Sequence, residues 1–285
     1  MSSLPPKVFD RELIARHFAR RSGADDFVTK LALDDLATRL ITVTRDFEAA
    51  LIMAPDAREL PVMGRSANGA FHFERAATVV DAEGATLVDP ETLALPRTDY
   101  DLIVSVLDLT VVNDVVGFLA RLRRHLRPDG LFMAVAIGGA SLNELREAWL
   151  TAEAEVSGGA FARIAPFIPL ADAGGLLQRA GFKLPVTDVE THTVRYGHPL
   201  RLMAELKALG AQNPLAERPG KPVSRRLLTT ATEAYGALAM DDDGRVRATL
   251  ELIWMSGWAP HESQQQPARR GSATVSLQDG LEKKR

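Results

Sequence analysis

The sequence predicts an α/β protein built on a doubly wound, mostly parallel sheet. Two continuous apolar runs, "DLIVSVLDL" (101–109) and "LFMAVAIGG" (131–139), have the length and composition of strands buried on both faces. Each is followed by a segment with apolar residues at helical spacing, "VVNDVVGFLARLRRHL" (111–126) and "SLNELREAWLTAEAEV" (141–156). Strands and helices that alternate with short joins form parallel strands connected by right-handed crossovers.

The composition describes one globular protein and excludes several kinds of site. With 285 residues, 46% of them hydrophobic and 25% charged, the chain has enough apolar material for one sizeable core. A net charge of -3 with mixed signs gives no basic face, so we expect no nucleic-acid partner. The lack of cysteine excludes disulfides, cysteine-ligated zinc, iron–sulphur ligation and thiol nucleophiles.

The apolar runs also bear on location. They are too short to span a bilayer, and the N-terminus lacks the continuous apolar core of a secretion signal. The Arg-rich start "VFDRELIARHFARR" (8–21) carries Asp10 and Glu12, and acidic residues argue against a transit peptide. The sequence therefore predicts a cytoplasmic protein without a transmembrane segment.

In the first third of the chain, the pattern places a helix before the first strand. "ADDFVTKLALDDLATRLITVT" (24–44) has apolar residues at helical spacing, with Asp25 and Asp26 available to cap its start. "AALIM" (49–53) follows as a strand, and "FHFERAATVV" (71–80) is the best strand candidate in the poorly patterned stretch after it.

Turn and cap signals delimit the elements of the second half. "RPDG" (127–130) predicts a turn, and Ser141 three residues before Glu144 predicts a capping box. Gly181 provides a left-handed stop for the helix "LADAGGLLQRAG" (170–181).

The end of the chain predicts an insertion and a tail. "VTDVETHTVRY" (186–196) alternates as a strand, two helices form an insertion over about 198–240, and "GRVRATLELIWMSGWAP" (244–260) is a long last strand. On composition alone the polar residues after 260 predict a disordered tail. The predicted organisation is an N-terminal segment 1–24, a domain 25–260 and a C-terminal tail 261–285.

The loop after the first strand is where a doubly wound sheet usually binds a nucleotide. Glycines there let the backbone approach the charged groups of the ligand. This loop reads Ala54, Pro55, Asp56, Ala57, Arg58, and Pro55 also removes a backbone donor. We expect weakened nucleotide binding at this loop, or a plain turn in a protein that has lost the site.

Two aspartates are candidates for ligand contacts. Asp89 lies on a short loop before a buried strand, which places it at the carboxyl edge of the sheet, where it could accept a hydrogen bond from an adenine amino group. A turn or cap role before Pro90 explains it equally well. Asp108, at the carboxyl end of its strand, has the same two interpretations.

The histidines offer one candidate metal site, but its pattern is too short to assign a metal. His72 and Glu74 have the spacing of two ligands in a two-His, one-carboxylate iron site, with His125, His192 or His198 as the further ligand. A two-residue pattern arises easily by chance, so we assign no metal. The sequence contains no phosphate-binding P-loop, no serine nucleophile elbow and no HExxH zinc motif.

Several stretches resemble one family. They are "FDRELIARHFAR" (9–20), "DYDLIVSVLDLTVVNDVVGFLARLRRHLRPDGLF" (99–132), "GGASLNELREAWLTAEAEVSGG" (138–159), "PFIPLADAGGLLQRAGF" (166–182) and "GWAPHESQQQPARRGSATVSL" (257–277). The chain resembles the methyltransferase-like assembly factors of respiratory complex I, of the mitochondrial arginine-hydroxylase type with bacterial relatives, from Val8 to Leu277. The "AEAEVSGG" stretch and the tail are the most specific to this family.

The resemblance implies a class I methyltransferase (Rossmann-like) sheet of about seven strands and a role in assembling NADH:quinone oxidoreductase. It implies S-adenosylmethionine as the family's cofactor. The implied partner is an iron–sulphur subunit of the peripheral arm, the one that holds the cluster nearest quinone, with hydroxylation of one of its arginines as the implied activity. A bacterial member would be cytoplasmic, at the inner face of the membrane through complex I. The tail is then a partner surface and not simple disorder.

The chain departs from the family at the glycine turn, and this leaves three functions open. They are an arginine hydroxylase, a non-catalytic scaffold with a degenerate cofactor site, and a methyltransferase of unknown substrate. The residues predicted to line a cofactor groove are Met53, Ala54 and Asp56 in the first loop, Asp89 over the adenine, and Leu107 and Asp108 at the end of the 101–109 strand. We assign no catalytic residue.

Overall fold

The computed structural model describes residues 7–21 and 26–266. Within these ranges the chain forms seven α-helices and eight strands. The helices are α1 Arg11–Ala19, α2 Phe27–Leu40, α3 Val115–His125, α4 Asn143–Ser157, α5 Leu170–Arg179, α6 Pro199–Ala208 and α7 Arg225–Ala239. The strands are β1 Ala50–Asp56, β2 Met63–Ser66, β3 Gly69–Val80, β4 Thr86–Leu87, β5 Tyr100–Val106, β6 Leu126–Ile137, β7 Lys183–Tyr196 and β8 Val246–Trp258. None of these helices is long and apolar enough to cross a bilayer.

The strands pair in the order β2-β3-β1-β5-β6-β8-β7, with β4 beside β3. β1 is parallel to both β3 and β5, and β5 is parallel to β6, whereas β8 is antiparallel to β6 and β7. The strand order therefore switches between β1 and β5, and the carboxyl ends of β1, β5 and β6 meet at one edge. The predicted fold class, a doubly wound α/β sheet of the class I methyltransferase type with helices inserted before the last strand, is confirmed.

Alternate residues of the central strands face two different helical layers. In β5, Leu102 and Val104 pack on the side of α2, and Ile103 packs on the side of α3 and α5. A third apolar cluster joins α4, α6 and α7 to the start of β8. Tyr235 of α7 is buried there and donates its hydroxyl proton to the carbonyl oxygen of Arg247 (2.7 Å).

The connection from β1 to β3 departs from the usual crossover. Parallel neighbours are usually joined through a helix, but residues 57–68 form a turn and the short strand β2, which pairs antiparallel with β3. Phe71 of this hairpin lies edge-on to Phe47 and to Phe73, with ring centroids 5.0 Å apart in each pair. These rings help α2 to cover its face of the sheet.

Arginines complete the cover of the same face near the other edge of the sheet. The Arg39 guanidinium lies 4.7 Å from the ring centroid of Trp254, and that of Arg45 lies 4.9 Å from the ring centroid of Trp258. Ion pairs hold Arg39 in place, with Asp35, Asp188 and Glu190 as its partners.

The predicted capping box at the start of α4 is wrong. The helix begins at Asn143 after Leu142, which is left-handed (φ 55°) and makes no side-chain cap. Ser141 instead exchanges two hydrogen bonds with the backbone of Glu251 (2.9 and 3.1 Å), and the Glu144 carboxylate accepts from the backbone N–H of Thr249 (3.2 Å). Both side chains attach the helix to β8, because that strand runs beside it.

The predicted turn at "RPDG" is also wrong, since β6 already begins at Leu126. Leu126 pairs with Tyr100 and Leu131 with Leu102, so residues 127–130 bulge out opposite Asp101. The Asp101 carboxylate stabilises this bulge through an ion pair with Arg127.

Other local signals are confirmed. Asp26 caps α2 by accepting from the backbone N–H of Thr29 (3.0 Å), whereas Asp25 lies outside the described residues. Gly181, which follows Ala180 at the C-cap of α5, has φ 90°. Of the predicted tail, residues 267–285 lie outside the described residues, and Gln264 attaches the preceding segment by donating to Asp129 Oδ1 (2.9 Å).

Candidate functional site

A cavity of about 510 Å³ opens at the carboxyl edge of the sheet. Its floor is made by the ends of β1, β5 and β6, and α1, α4 and α6 form its walls. This is the edge at which open α/β sheets bind ligands, and the volume is that of a small-molecule or side-chain pocket. Most of its lining is apolar and includes Ile14, Phe18, Leu142, Trp149, Phe167 and Leu202.

At the end of β1, the cavity meets a cluster of charges centred on Asp56. The Asp56 side chain is 7% exposed and pairs with Arg21 (Nη1 to Oδ2, 3.1 Å). Arg58 also contacts it, with Nε 3.0 Å from both carboxylate oxygens. Burial alone would raise the pKa of Asp56, but the hydrogen bonds and charge of Arg58, together with the charge of Arg21, hold it below its usual value.

Arg21 lies on the cavity lining beside Asp56. Its second terminal nitrogen pairs with Asp26, and its guanidinium lies 5.3 Å from the ring centroid of Phe18. Thr29 holds Asp26 in place with two hydrogen bonds. Its hydroxyl (2.8 Å) and its backbone N–H both donate to the Asp26 carboxylate. Two carboxylates and a ring thus hold one planar guanidinium.

A second arginine, Arg11, attaches α1 to the neighbouring strands. Its guanidinium donates to the carbonyl oxygens of Thr78 at the end of β3 (2.7 Å) and Val111 after β5 (3.4 Å). Burial lowers the pKa of Arg11, and the charges of Asp89 and Asp108, among others, oppose this shift. The chain's own N-terminal segment therefore covers the ends of β3 and β5.

Asp108 is fully buried beneath this contact. The hydroxyls of Thr78 (2.6 Å) and Ser105 (2.9 Å) donate to its two oxygens. Burial raises its pKa to about 7, although these hydrogen bonds and the charge of Arg11 favour the ionised form. Asp108 is consequently a carboxyl group whose charge changes near neutral pH.

On the α4 wall, a buried ion pair borders the cavity. Arg163 pairs with Glu153, whose side chain is 1% exposed, and its guanidinium lies 4.8 Å from the ring centroid of Trp149. Both carboxylate and guanidinium are thereby desolvated and matched.

The predicted groove residues are only partly brought together. Ala54, Asp56 and Leu107 line the cavity, and Leu107 is left-handed (φ 64°). Met53 faces the core on the side of α3, and Asp108 is enclosed by its hydrogen-bond partners. Asp89 is exposed, accepts from the backbone N–H of Glu91 (2.9 Å) and does not line the cavity, so its geometry here is that of a turn residue. Their role in binding a cofactor stays a prediction.

Three further residues at this edge were not singled out from the sequence. Arg11 and Arg21 belong to the Arg-rich start, and nothing in the spacing of that segment shows that it folds over the sheet. Asp81 is exposed and directly follows β3. Its position after the apolar "AATVV" run is the signal that would have marked it as an acidic residue at a strand end.

The residues at the end of β1 do not fit S-adenosylmethionine in the way the resemblance implied. Glycine turns present backbone N–H groups and the start of a helix to a ligand's charged groups. Here Pro55 lacks an N–H, β1 extends to Asp56, and residues 57–68 contain no helix. The Asp56 carboxylate is already paired with two arginines of the chain.

The histidine pattern does not assemble a metal site in the described residues. No group of three or more His, Cys, Asp or Glu side chains within 7–21 and 26–266 could hold a metal ion. Glu74 instead accepts from the Tyr100 hydroxyl (2.6 Å), and the His125 ring lies against the carbonyl oxygens of Arg97 and Leu93.

No protein-family model matches the chain. It is 36% identical over 193 residues to the mitochondrial arginine-hydroxylase NDUFAF5 of Danio rerio, which covers 68% of this chain and 60% of that one. Over the same length it is 38% identical to human NDUFAF5, with 68% and 56% covered. It is also 34% identical over 197 residues to the malonyl-[acyl-carrier protein] O-methyltransferase of Halorhodospira halophila, with 69% and 64% covered. The resemblance read from the sequence is confirmed, and the matched region spans less than two thirds of each of these relatives.

Several solved structures have a similar arrangement of strands and helices. YcgJ of Bacillus subtilis has a TM-score of 0.45 at 11% identity, covering 81% of this chain and 99% of that one. Phosphoethanolamine N-methyltransferase 2 of Haemonchus contortus, solved with S-adenosyl-L-methionine, has a TM-score of 0.39 at 11% identity, covering 88% and 57%.

Proposed function

We propose that this homologue of the NDUFAF5 arginine-hydroxylases is a methyltransferase-like assembly factor of respiratory complex I, acting on a protein partner through the carboxyl-edge cavity. One observation carries the proposal. The cavity of about 510 Å³ lies at the strand ends where a methyltransferase receives its cofactor, but at the end of β1 its lining carries the ion pair of Arg21 with Asp56, and the rest of the lining is mostly apolar. Such a site favours contact with a partner over transfer of a methyl group.

The partner we propose is the iron–sulphur subunit of the peripheral arm that holds the cluster nearest quinone. An arginine of that subunit is the residue recognised, and its hydroxylation is the activity if the chain is catalytic. The names of the NDUFAF5 relatives support arginine as the side chain concerned. The protein would then work at the inner face of the membrane, where complex I is built.

A non-catalytic scaffold is the second candidate, and the ion pairs around Asp56 favour it. A methyltransferase needs that end of the sheet open to its cofactor, whereas a scaffold needs only its partner surface. A methyltransferase of unknown substrate is the third candidate, supported by the similarity to malonyl-[acyl-carrier protein] O-methyltransferases.

Peptide mass spectrometry of the quinone-proximal subunit separates the first two candidates. Complex I is purified from cells with the gene, without it, and with the gene supplied again, and each arginine is examined for one added oxygen atom. An oxygen that disappears and returns with the gene identifies a hydroxylation function. Unmodified arginine throughout, with less complex I in the deletion alone, identifies a scaffold. Equal complex I and equal modification in all three would contradict the proposal.

The same cells test the tail. A copy that ends before His261 retains α1 to β8, and we expect it to leave complex I depleted although the domain is folded. Normal complex I in that strain would show that the tail is not a partner surface.

A further inference from the structure

We infer that the cavity is a docking site for an arginine-bearing segment of the partner, and that Arg21 is an internal occupant which the partner's guanidinium displaces. This inference rests on the proposed function and adds to it the chemistry of recognition and a means of regulating it. Asp26, Asp56 and the ring of Phe18 form the guanidinium end of the site. The apolar remainder of the cavity takes a side chain next to the arginine.

The geometry at Arg21 selects a guanidinium. One terminal nitrogen of Arg21 meets Asp56 and the other meets Asp26, and the plane is placed against a ring. A planar fork can satisfy two separate carboxylates at once, which the compact ammonium of lysine does less well. Besides Arg21, the charged residues of the lining are four carboxylates and two cations, namely Asp26, Asp56, Glu59, Glu205, Arg163 and Lys207. Without Arg21 the lining is therefore complementary to a positive charge.

Exchange of one guanidinium for another leaves the charges around Asp26 and Asp56 balanced. Asp56 keeps Arg58 as a partner throughout, and Asp26 keeps its hydrogen bonds from Thr29. The desolvation cost of the carboxylates is therefore present both with Arg21 in place and with the partner's arginine in place, and it largely cancels from the binding free energy. Net affinity comes from the apolar side chain that the partner buries in the cavity beside Trp149, Phe167 and Leu202.

Arg21 competes because it is attached to the same chain. A tethered group acts at an effective concentration on the order of millimolar, so a partner binds only the fraction of molecules in which Arg21 has left. The site is thereby closed to weak arginine-containing sequences and accessible to a segment that also supplies apolar contacts.

The test uses the full chain and a fluorescein-labelled nine-residue peptide with one central arginine flanked on each side by leucine. Binding is followed by fluorescence anisotropy for the wild type and for Arg21→Ala. We expect Arg21→Ala to bind at least about tenfold more tightly, because the internal competitor is gone. Arg20→Ala, which changes the preceding arginine outside the cavity lining, is the matched control and should bind as the wild type does.

Peptide variants define the chemistry. Replacing the arginine by citrulline removes the charge and keeps the shape, and replacing it by lysine keeps the charge and removes the fork; both should abolish the gain. Serine in place of the leucines should weaken binding to every variant. Arg21→Ala with Asp56→Asn should lose the gain. Equal affinity of wild type and Arg21→Ala, or an equal gain for the citrulline peptide, would overturn the inference.

Folding is controlled separately. If Arg21→Ala melts below the assay temperature, Arg21→Gln is used, and its melting temperature is measured with added N-methylguanidinium or with methylammonium. Stabilisation by the former alone supports the site, and no difference between them contradicts it. This test and the cellular test can fail separately. Peptide binding as expected, with complex I unchanged in the deletion, would reject the proposed function but not the guanidinium site. Loss of complex I in the deletion, without the expected peptide binding, would reject the guanidinium site alone.

Discussion

The two sides of the sheet's carboxyl edge have opposite characters. On the side of β3 and β1, the edge is filled by ion pairs and hydrogen bonds within the chain, centred on Arg11, Arg21 and Asp56. From there towards β6 and β8, the cavity of about 510 Å³ continues as an apolar space beside α4 and α6. One fold thus has a closed half and a receptive half at the same edge.

This difference shows how a binding site can change while the fold persists. The strand order and the core depend on apolar residues in the middle of the strands, whereas the ligand chemistry depends on the few residues after each strand. Here the loop "APDAR" and the hairpin that stands in place of a crossover helix between β1 and β3 change this end of the sheet, while the strand order is kept. The helices that form the receptive half are unaffected by it.

The largest effect is expected for Arg163→Ala on the receptive side. It leaves the Glu153 carboxylate, which is 1% exposed, without its partner, and loss of one member of a buried ion pair costs about 3 to 5 kcal/mol. Urea unfolding measures the change. The double variant Glu153→Leu with Arg163→Leu removes both charges and should recover most of the stability. Arg21→Ala is the comparison on the closed side, where Asp56 keeps Arg58 as a partner. A smaller loss of stability for Arg163→Ala than for Arg21→Ala would contradict the difference between the two sides.

On the closed side, Asp108 should make stability depend on pH. Its folded pKa of about 7 lies above the unfolded value, so the folded state holds the proton more tightly, and this contribution is present below about pH 4 and lost as the pH rises through 7. Relative to Asp108→Asn, the wild type should lose about 2 kcal/mol between pH 5 and pH 7. Denaturant unfolding at four pH values measures the difference in free energy of unfolding between the two proteins. Groups that titrate alike in both proteins cancel from this difference. A difference that does not vary with pH would contradict the assignment.

A smaller effect is expected for Ser224→Ala, at the start of a helix on the receptive side. Ser224 Oγ accepts from the backbone N–H of Leu227 (3.1 Å), and loss of such a cap costs about 1 kcal/mol. Ser224→Gly should cost only about a few tenths of a kcal/mol. Thermal unfolding of both variants checks the order; equal losses would mean that the serine acts through something other than its cap.

The smallest effect is expected from S-adenosylmethionine itself. A ligand at one hundred times its dissociation constant stabilises a protein by about 2.7 kcal/mol, and we expect a shift close to zero at millimolar cofactor. Differential scanning fluorimetry measures it, with Asp89→Ala as the paired variant. A clear shift that Asp89→Ala abolishes would show that the closed half still admits the cofactor and that Asp89 contacts it.

The fold could be read from the sequence because its signals are local. The apolar runs at 101–109 and 131–139, and the amphipathic segments after them, each identify one element, and the order of elements determines the topology. The capping box failed for a nonlocal reason, because Ser141 and Glu144 contact β8 more than 100 residues away.

The site could be read only in part. The missing glycines predicted a changed cofactor loop, and Ala54, Asp56 and Leu107 do lie at the cavity. Arg11 reaches a carbonyl oxygen 67 residues further along the chain, and Arg21 meets Asp56 across 35. No periodicity encodes such contacts, since they arise only when the N-terminal segment folds back over the sheet.

The arginines that lie on Trp254 and Trp258 have a consequence for ionic strength. Part of the sheet face that α2 covers is shielded from water by the guanidinium groups of arginines and not by a second helix. Salt weakens the attraction between exposed charges, with a Debye length of about 8 Å at physiological ionic strength. Added salt should therefore loosen this face before the opposite one. Its first sign would be a change in tryptophan emission while the backbone of α3 and α5 stays protected from deuterium exchange.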